Sequence, residues 1–224
     1  MISVSNEIRM FMIGSFPNGN LGGLALNILI ALFTIFSGFI LGLFLALGRL
    51  SKNTAINHVA TFVIETMRAL PLLLIIFWFH FFVPLFIGRP FSPFWSAYFS
   101  LSLYSAVNQA EIFRGGLKNV ANEQWQVAKS TGLSYRQSLI YIILPQVVKM
   151  TLPSFVSFFI SLFKDTSVIY IIGIMDLTQM GIMLSQRHPS KIIFSYILVA
   201  TFYFTICFAL SLYAKRLEAR KLKY

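Results

Sequence analysis

The feature that most restricts the fold of this chain is a long apolar run, from Leu24 to Leu47, that contains no charged residue. A helix needs about 20 apolar residues to cross the hydrocarbon core of a bilayer, so this run is long enough to span it. A cleaved signal peptide is the alternative, but its apolar region measures about 7–15 residues and follows positive charge. Here the basic flank, Arg49 and Lys52, comes after the run. We therefore predict a retained transmembrane helix with its N-terminus outside.

The composition favours a membrane protein over a soluble one. Hydrophobic residues make up 57% of the chain, charged residues 11%, and the mean hydropathy is +0.77. Ordinary soluble domains carry roughly 25% charged residues, so there is too little polar surface here to cover a soluble globule. The net charge of +11 does not indicate nucleic-acid binding, because the basic residues lie at the ends of apolar runs, as in cytoplasmic loops of membrane proteins.

Four further apolar segments complete a predicted all-α integral membrane bundle of about five transmembrane helices. A turn is predicted at Ile87–Pro93, between the second and third spans. The fourth span is expected to be interrupted at Pro145, Lys149 and Pro153, and Ile169–Lys191 is too mixed in polarity to cross. The four segments are Val59–Phe86, Phe94–Phe113, Ser138–Phe163 and Ile192–Ala214.

The basic residues orient the predicted bundle. Five crossings put the termini on opposite sides, and an outside N-terminus places 13 of the 18 basic residues at cytoplasmic ends or loops. The reversed topology would invert that ratio, against the positive-inside rule. The chain then divides into an extracytoplasmic segment (1–21), a transmembrane domain (22–216) and a basic cytoplasmic tail (217–224). The residues counted are Arg49, Lys52, Arg68, Arg114, Lys118, Lys129, Arg136, Lys149, Lys215, Arg216, Arg220, Lys221 and Lys223.

Three acidic residues border or enter the apolar spans, where an unpaired charge is costly. They are Glu65, Glu111 and Asp165. Each has two interpretations, an internal ion pair that fixes packing or a position along a water-filled path. Arg68 follows Glu65 by three residues, and Arg114 follows Glu111 by three, so both pairs can form on one helix face.

The polar loop between the third and fourth spans is the most informative stretch. Trp125, Ala128 and Lys129 fall on one side of a predicted short helix, and Gly132 is placed to end it. A helix standing out from the membrane surface offers a soluble partner a rigid protrusion. From the spacing alone, an ordinary amphipathic loop helix is the favoured interpretation.

This loop resembles the EAA loop of binding-protein-dependent ABC importer permeases. The family pattern is Glu-Ala-Ala, three residues, Gly, nine residues, Ile, one residue, Leu-Pro. The first two positions depart from it, because Gln126 stands in place of Glu and Val127 in place of Ala. The spacing fits throughout, and the corresponding positions are Gln126, Val127, Ala128, Gly132, Ile142, Leu144 and Pro145. Three more segments resemble polar amino-acid permeases, namely Glu65–Leu73, Ala110–Gly116, and Lys164–Ser167 with Gly173 and Asp176-Leu177.

The resemblance implies a type I ABC importer transmembrane domain without catalytic residues or cofactor of its own. Its coupling loop (about 118–137) would seat on a dimer of ATP-binding subunits, which hold the ATP and Mg. The other implied partners are a second permease, identical or different, an extracytoplasmic amino-acid-binding protein and the bilayer. The implied coupling residues are Glu123, Gln126, Val127, Ala128, Gly132, Leu144 and Pro145. The implied substrate-path residues are Arg68, Asn108, Glu111, Ser157, Lys164, Asp165, Thr166 and Ser167.

The substrate indicated is an acidic amino acid. Many members that carry cationic or polar substrates have Asn-Glu in the fourth helix, where this chain has Ser157-Phe158. The surroundings of Lys164 resemble glutamate/aspartate permeases, and glutamine or another neutral polar amino acid is the alternative. A self-sufficient secondary carrier or channel is the competing class, although such carriers commonly contain internal repeats, which are not seen here. A membrane enzyme is disfavoured by the lack of a nucleophile motif, and no GxxxxGK[ST] phosphate loop occurs.

Overall fold

The computed structural model describes residues 4–17, 19–120, 127, 130 and 132–221. These residues are almost entirely helical. The main helices are α1 (Val4–Ile13), α2 (Gly23–Arg49), α3 (Thr54–Ala69), α4 (Leu72–Ile87), α5 (Pro93–Asn119), α6 (Tyr135–Ile172), α7 (Leu177–Arg187) and α8 (Ile192–Lys221). α4 contains a π-helical segment at Trp78–Phe82, and α6 contains one at Ser138–Ile143. The last turns of α6, Thr166–Ile172, are 3-10 helix.

Side-chain caps fix where several helices begin. The Asn53 side chain accepts hydrogen bonds from the first turn of α3, and the Asp176 carboxylate accepts one from the Gln179 amide in α7. At the start of α6, Ser134 and Gln137 form a reciprocal capping box. Each cap satisfies backbone N–H groups that have no partner within the helix.

The centre of the bundle is the crossing of α2 and α5, where small residues allow the two backbones to approach. A Cβ at Gly38 would lie 2.3 Å from the Ser105 hydroxyl oxygen, and one at Gly42 would lie 2.8 Å from the Ala106 carbonyl oxygen. Gly38 and Gly42 form the small-xxx-small spacing that brings membrane helices together. Ser37 donates a hydrogen bond to Ser102 across the same crossing at 2.9 Å.

The helices that can cross a membrane agree with most of the predicted spans. By length and apolar composition, α2, α6 and the Pro189–Arg216 segment around α8 qualify among the described residues, and α3 with α4 adds a fourth if counted as one bent span. The predicted third span is α5, which is 27 residues long but too polar to qualify alone. Its buried side chains include Ser96, Ser105 and Gln109, because a helix surrounded by other helices has no need of an apolar lipid-facing surface.

The predicted second span is wrong in one respect, because it is not a single straight helix. α3 ends at Ala69, α4 begins at Leu72, and the chain turns by 107° between them. Pro71 lies at the break, since it lacks an N–H donor and restricts the residue before it to extended backbone.

The interruption predicted in the fourth span is also absent, because α6 is continuous from Tyr135 to Ile172. Pro145 lies inside this helix, separated from the π-helical segment by Leu144, and Pro153 sits inside the α-helical part. A local widening of the helix re-satisfies backbone groups that proline would disrupt, and transmembrane helices tolerate proline for this reason. The part of Ile169–Lys191 that lies between the candidate spans contains α7, which has only 11 residues and is too short to cross, as predicted.

Large apolar side chains cover the outer surface of the bundle. Phe36 and Phe62 are about two-thirds exposed, and Leu85 and Phe86 are each 77% exposed. A soluble protein rarely exposes apolar patches of this extent. This outer surface is therefore suited to contact with the lipid of a membrane.

Candidate functional site

The predicted path residues Lys164, Asp165 and Thr166 lie where α6 changes from α-helix to 3-10 helix. Successive helical residues point about 100° apart, so these three side chains reach three different neighbours. Lys164 is exposed beside α8, the Asp165 carboxylate faces the Tyr104 hydroxyl of α5, and buried Thr166 contacts Asn27 of α2. One short segment therefore meets three helices of the bundle.

Lys164 borders a cavity of about 290 Å³ between α6 and α8. Ser157 precedes Lys164 by seven residues, so both lie on the same exposed face of α6. Ser167 is half-buried just beyond them. The residues lining the cavity are Lys164, Tyr203, Phe204, Cys207, Phe208 and Ser211. A single cation in an otherwise largely apolar wall suits a small anionic group.

A polar stripe runs along α5 from Asp165 to the far end of the bundle. Tyr104 faces Asp165, Asn108 donates to the Tyr104 carbonyl oxygen at 2.8 Å, and Glu111 follows three residues later. The i, i+4 and i+7 spacing places Tyr104, Asn108 and Glu111 on one face. The structure therefore brings Asn108 and Glu111, both predicted path residues, onto one continuous surface with Asp165.

Glu111 is the centre of an ion-pair network that joins three helices. Its carboxylate accepts a 2.6 Å bond from Arg49 of α2, bonds of 2.8–3.0 Å from Arg114 of α5, and lies 3.6 Å from Arg68 of α3. Arg49 also donates to Glu65 at 2.6 Å. The network therefore contains three arginines and two glutamates. It fixes the ends of α2 and α3 to the last part of α5.

The predicted pairing of Glu111 with Arg114 is confirmed, and the predicted pairing of Glu65 with Arg68 is wrong. Among the described residues, Glu65 pairs with Arg49 and Arg68 pairs with Glu111. The reason is tertiary: α3 packs against both α2 and α5, so its charged residues find partners on neighbouring helices rather than on their own turn.

A second polar cluster, which the sequence reasoning missed, surrounds Asn27. The Asn27 side-chain amide nitrogen lies 3.0 Å from the Thr166 hydroxyl, 3.3 Å from the Asp176 carboxylate and 3.1 Å from the Tyr203 hydroxyl. Its oxygen accepts a bond from the Leu177 amide at 2.9 Å. Asn27, Thr166 and Asp176 are all fully buried. An asparagine within an apolar run was the only signal in the sequence that could have found it.

Asp176 lies between the candidate spans, in the short segment that joins α6 to α7. Burial raises the pKa of its carboxyl to about 6, against hydrogen bonds that lower it. The Gly23 amide donates to the Met175 carbonyl oxygen at 2.8 Å, which holds the start of α2 beside the same segment. The start of α2 and the segment that leads into α7 are thereby held together beside Asn27.

Only some of the predicted coupling residues lie within the part of the chain that the structure describes. Glu123, Gln126 and Ala128 lie outside the described residues, as do Trp125 and Lys129. Val127 is helical and 56% exposed, and Gly132 has φ +75°, a left-handed conformation that suits glycine at a helix end. Leu144 and Pro145 lie within α6, as described above. α5, which precedes the loop in the sequence, ends at Asn119, a few residues beyond Arg114 of the Glu111 network.

An all-helical bundle with apolar outer walls and a polar stripe between its helices belongs to the class of integral membrane proteins. Residues 38–223 match the family described as "Binding-protein-dependent transport system inner membrane component". The chain belongs to this family. It is a non-catalytic, multi-pass permease subunit of the bacterial inner membrane, and it works with an ATPase subunit and a binding protein.

Individual relatives cover nearly the whole chain. The probable glutamine ABC transporter permease GlnP of Bacillus subtilis is 34% identical over 218 residues, which is 95% of this chain and 100% of that protein. The glutamate/aspartate import permease GltK of Escherichia coli O6:H1 is 29% identical, with coverage of 89% and 92%. A solved structure of an amino acid ABC transporter with histidines matches with a TM-score of 0.79 at 28% identity, covering 88% of this chain and 92% of that one.

These findings establish the predicted fold, an all-helical type I ABC importer permease. They also establish that this chain is a permease subunit of an importer for polar amino acids. The MetNI methionine transporter, at a TM-score of 0.64 and 16% identity, shares the fold.

Proposed function

We propose that this permease carries glutamate or aspartate through a path that passes Lys164. The observation that supports this most directly is the position of Lys164, an exposed cation on the wall of the cavity between α6 and α8. Its neighbour on the same face is neutral Ser157. An anionic side chain gains from a cation in a medium of low dielectric constant, whereas a cationic one would be repelled.

Glutamine is the second candidate. The observation in its favour is the 34% identity, over the full length, to the probable glutamine permease of Bacillus subtilis. The amide of glutamine can accept a hydrogen bond from Lys164 without a full ion pair, so the same path residue serves both candidates. Charge on the substrate distinguishes them.

The proposed path continues from Lys164 and Asp165 along the polar stripe of α5. Asn108 and Glu111 lie along it, with Arg68 at its far end, 3.6 Å from Glu111. Ser167 lies at the opposite end, where α6 becomes 3-10 helix, and fully buried Thr166 supports that end from within the bundle. A second permease subunit, identical or different, encloses the other side of the path, because Lys164, Asn108 and Arg68 lie on exposed or half-exposed faces of a single chain.

The proposed orientation has the N-terminus outside and the C-terminus in the cytoplasm. The arginines of the Glu111 network and the coupling loop then lie at the same, cytoplasmic, end, in agreement with the positive-inside rule. The proposed coupling surface comprises Glu123, Gln126, Val127, Ala128 and Gly132, with Leu144 and Pro145 at its return into the membrane. The ATPase moves this loop, and the Glu111 network passes the movement from α5 to α2 and α3.

Uptake by the complete importer tests the substrate. The complex is purified through a tag on this chain, reconstituted in proteoliposomes with its binding protein, and supplied with radiolabelled glutamate, aspartate and glutamine. We expect ATP-dependent uptake of glutamate, competed by aspartate more strongly than by glutamine. Uptake of glutamine that excess glutamate leaves unchanged would contradict the acidic substrate.

Lys164→Gln tests the role of the cation in the path. We expect the variant to lose preference for glutamate over glutamine by roughly tenfold, the effect of about 1.4 kcal/mol of differential interaction. Lys149→Gln is the matched control, since Lys149 is an exposed lysine on the same helix, outside the cavity lining. An unchanged preference in Lys164→Gln would assign Lys164 to packing alone.

A further inference from the structure

The cluster around Asn27 contains an imbalance between donors and acceptors. The Asn27 amide nitrogen carries two hydrogens, but three acceptors lie within 3.3 Å of it, on Thr166, Asp176 and Tyr203. The Thr166 hydroxyl already donates its hydrogen to the Phe163 carbonyl oxygen at 2.7 Å. Thr166 therefore accepts from Asn27 and cannot substitute for it as a donor. Buried polar groups that lose their partner cost free energy, so this amide is hard to replace.

Asn27 also joins parts of the chain that are distant in sequence. It lies one turn into α2, while its partners lie at the 3-10 part of α6, at the start of α7 and in the middle of α8. Thr166, its partner in α6, directly follows Lys164 and Asp165. Tyr203, its partner in α8, lines the same cavity as Lys164.

We propose that Asn27 is a positioning residue for the substrate path. By holding Thr166, it fixes the point where α6 changes to 3-10 geometry, and so sets the directions of Lys164 toward the cavity and Asp165 toward Tyr104. By holding Tyr203, it fixes the opposite wall of that cavity. This inference rests on the proposed function only in taking Lys164 and Asp165 as path residues.

Asparagine suits this position because it combines one acceptor and two donors on a short side chain. Leucine is close in size but offers neither. Aspartate has the same shape and keeps the acceptor for the Leu177 amide, but it removes the donors and places a second carboxylate about 3.3 Å from that of Asp176. Two carboxylates at that separation repel in a buried site.

The test uses Asn27→Leu, Asn27→Asp and the exchanged pair Asn27→Asp with Asp176→Asn. The exchanged pair returns one carboxylate and one amide to the cluster, and asparagine also serves as an N-terminal cap for α7. Thr34→Val is the matched control. Thr34 is fully buried on the same helix, but its hydroxyl donates only to carbonyl oxygens of that helix, those of Ile30 and Ala31.

Two measurements are made on the purified complex. The first is the KM and maximal rate of glutamate and glutamine uptake, compared with the yield of assembled complex and its basal ATPase rate. We expect both single variants to raise the KM for uptake by roughly tenfold while assembly and basal ATPase stay within about twofold. The exchanged pair should be less impaired than Asn27→Asp, because it removes the repulsion between two buried carboxylates, and Thr34→Val should match the wild type.

The second measurement is amide hydrogen exchange over residues 164–172, which needs no substrate. We expect faster exchange there in Asn27→Leu and wild-type exchange in Thr34→Val. Four results would each overturn the positioning role. Two are a KM for uptake that the single variants leave unchanged and a rate of hydrogen exchange over residues 164–172 that Asn27→Leu leaves unchanged. The others are a double variant, Asn27→Asp with Asp176→Asn, that assembles yet remains as impaired as Asn27→Asp, and a failure of every Asn27 variant to assemble. A wild-type complex that takes up none of the tested amino acids would instead contradict the proposed function, and the exchange result would still decide the role of Asn27.

Discussion

Replacing Glu111 by glutamine removes the one negative charge that three arginines share. The Glu111 side chain is 16% exposed, and its partners Arg49, Arg114 and Arg68 lie at 2.6, 2.8 and 3.6 Å. Breaking a fully buried pair costs about 3–5 kcal/mol, and an exposed pair contributes about 0–1 kcal/mol. The partial exposure of the arginines and the remaining glutamine acceptor place Glu111→Gln between these limits, at about 2 kcal/mol.

The apparent melting temperature of the purified complex is the assay. A change of 1 kcal/mol shifts the melting temperature of a protein of this size by roughly 2–4 °C, so we expect a loss of about 4–8 °C. Uptake should fall in parallel, because the network joins α5, which leads into the coupling loop, to α2 and α3.

Glu65→Gln is the matched control. Glu65 belongs to the same network, but its side chain is 62% exposed and has one ion-pair partner among the described residues, Arg49 at 2.6 Å. We expect its loss to cost at most about 1 kcal/mol, as for other surface pairs. A melting temperature lowered as much by Glu65→Gln as by Glu111→Gln would refute the central place given to Glu111.

Two further predictions concern glycines. Gly38→Leu should abolish assembly of the complex, because even a Cβ would lie 2.3 Å from the Ser105 hydroxyl oxygen. Gly115→Ala is the control and should leave the yield of complex unchanged, since nothing lies within 4 Å of the added Cβ. A normal yield of Gly38→Leu would contradict the close crossing of α2 and α5. Gly132→Glu should abolish ATP-driven uptake while leaving membrane insertion intact, since a bulky charged residue at φ +75° distorts the end of the coupling loop; wild-type uptake would remove the loop from the coupling surface.

The sequence predicted those parts of the molecule that depend on local pattern. The apolar run of α2 gave its span nearly to the residue, and the three-residue spacing of Glu111 and Arg114 gave their ion pair. The 107° turn between α3 and α4 was missed because hydropathy is high on both sides of Pro71, so the run looks continuous.

Contacts between residues that are distant in the sequence could not be predicted from the local sequence pattern. Asn27 meets residues 139 to 176 positions away, and a lone asparagine in an apolar helix does not say which helices pack against it. Glu65 pairs with Arg49, 16 positions earlier, because α3 packs against α2. Proline at 145 marked an interruption in the sequence, yet the π-helical turn before it lets the helix continue.

Transport driven by a separate ATPase requires that the coupling loop of this chain lies in the cytoplasm. In a chain whose one native cysteine is replaced (Cys207→Ser), Ser130→Cys places a thiol on an exposed residue of that loop, and Arg89→Cys places one in the turn between α4 and α5. With a membrane-impermeant thiol reagent, we predict that residue 130 is labelled only from the cytoplasmic side and protected by the ATPase subunit, and that residue 89 is labelled only from outside. Labelling of residue 130 from the outside would contradict both the orientation and the transmission of work from ATP through this loop.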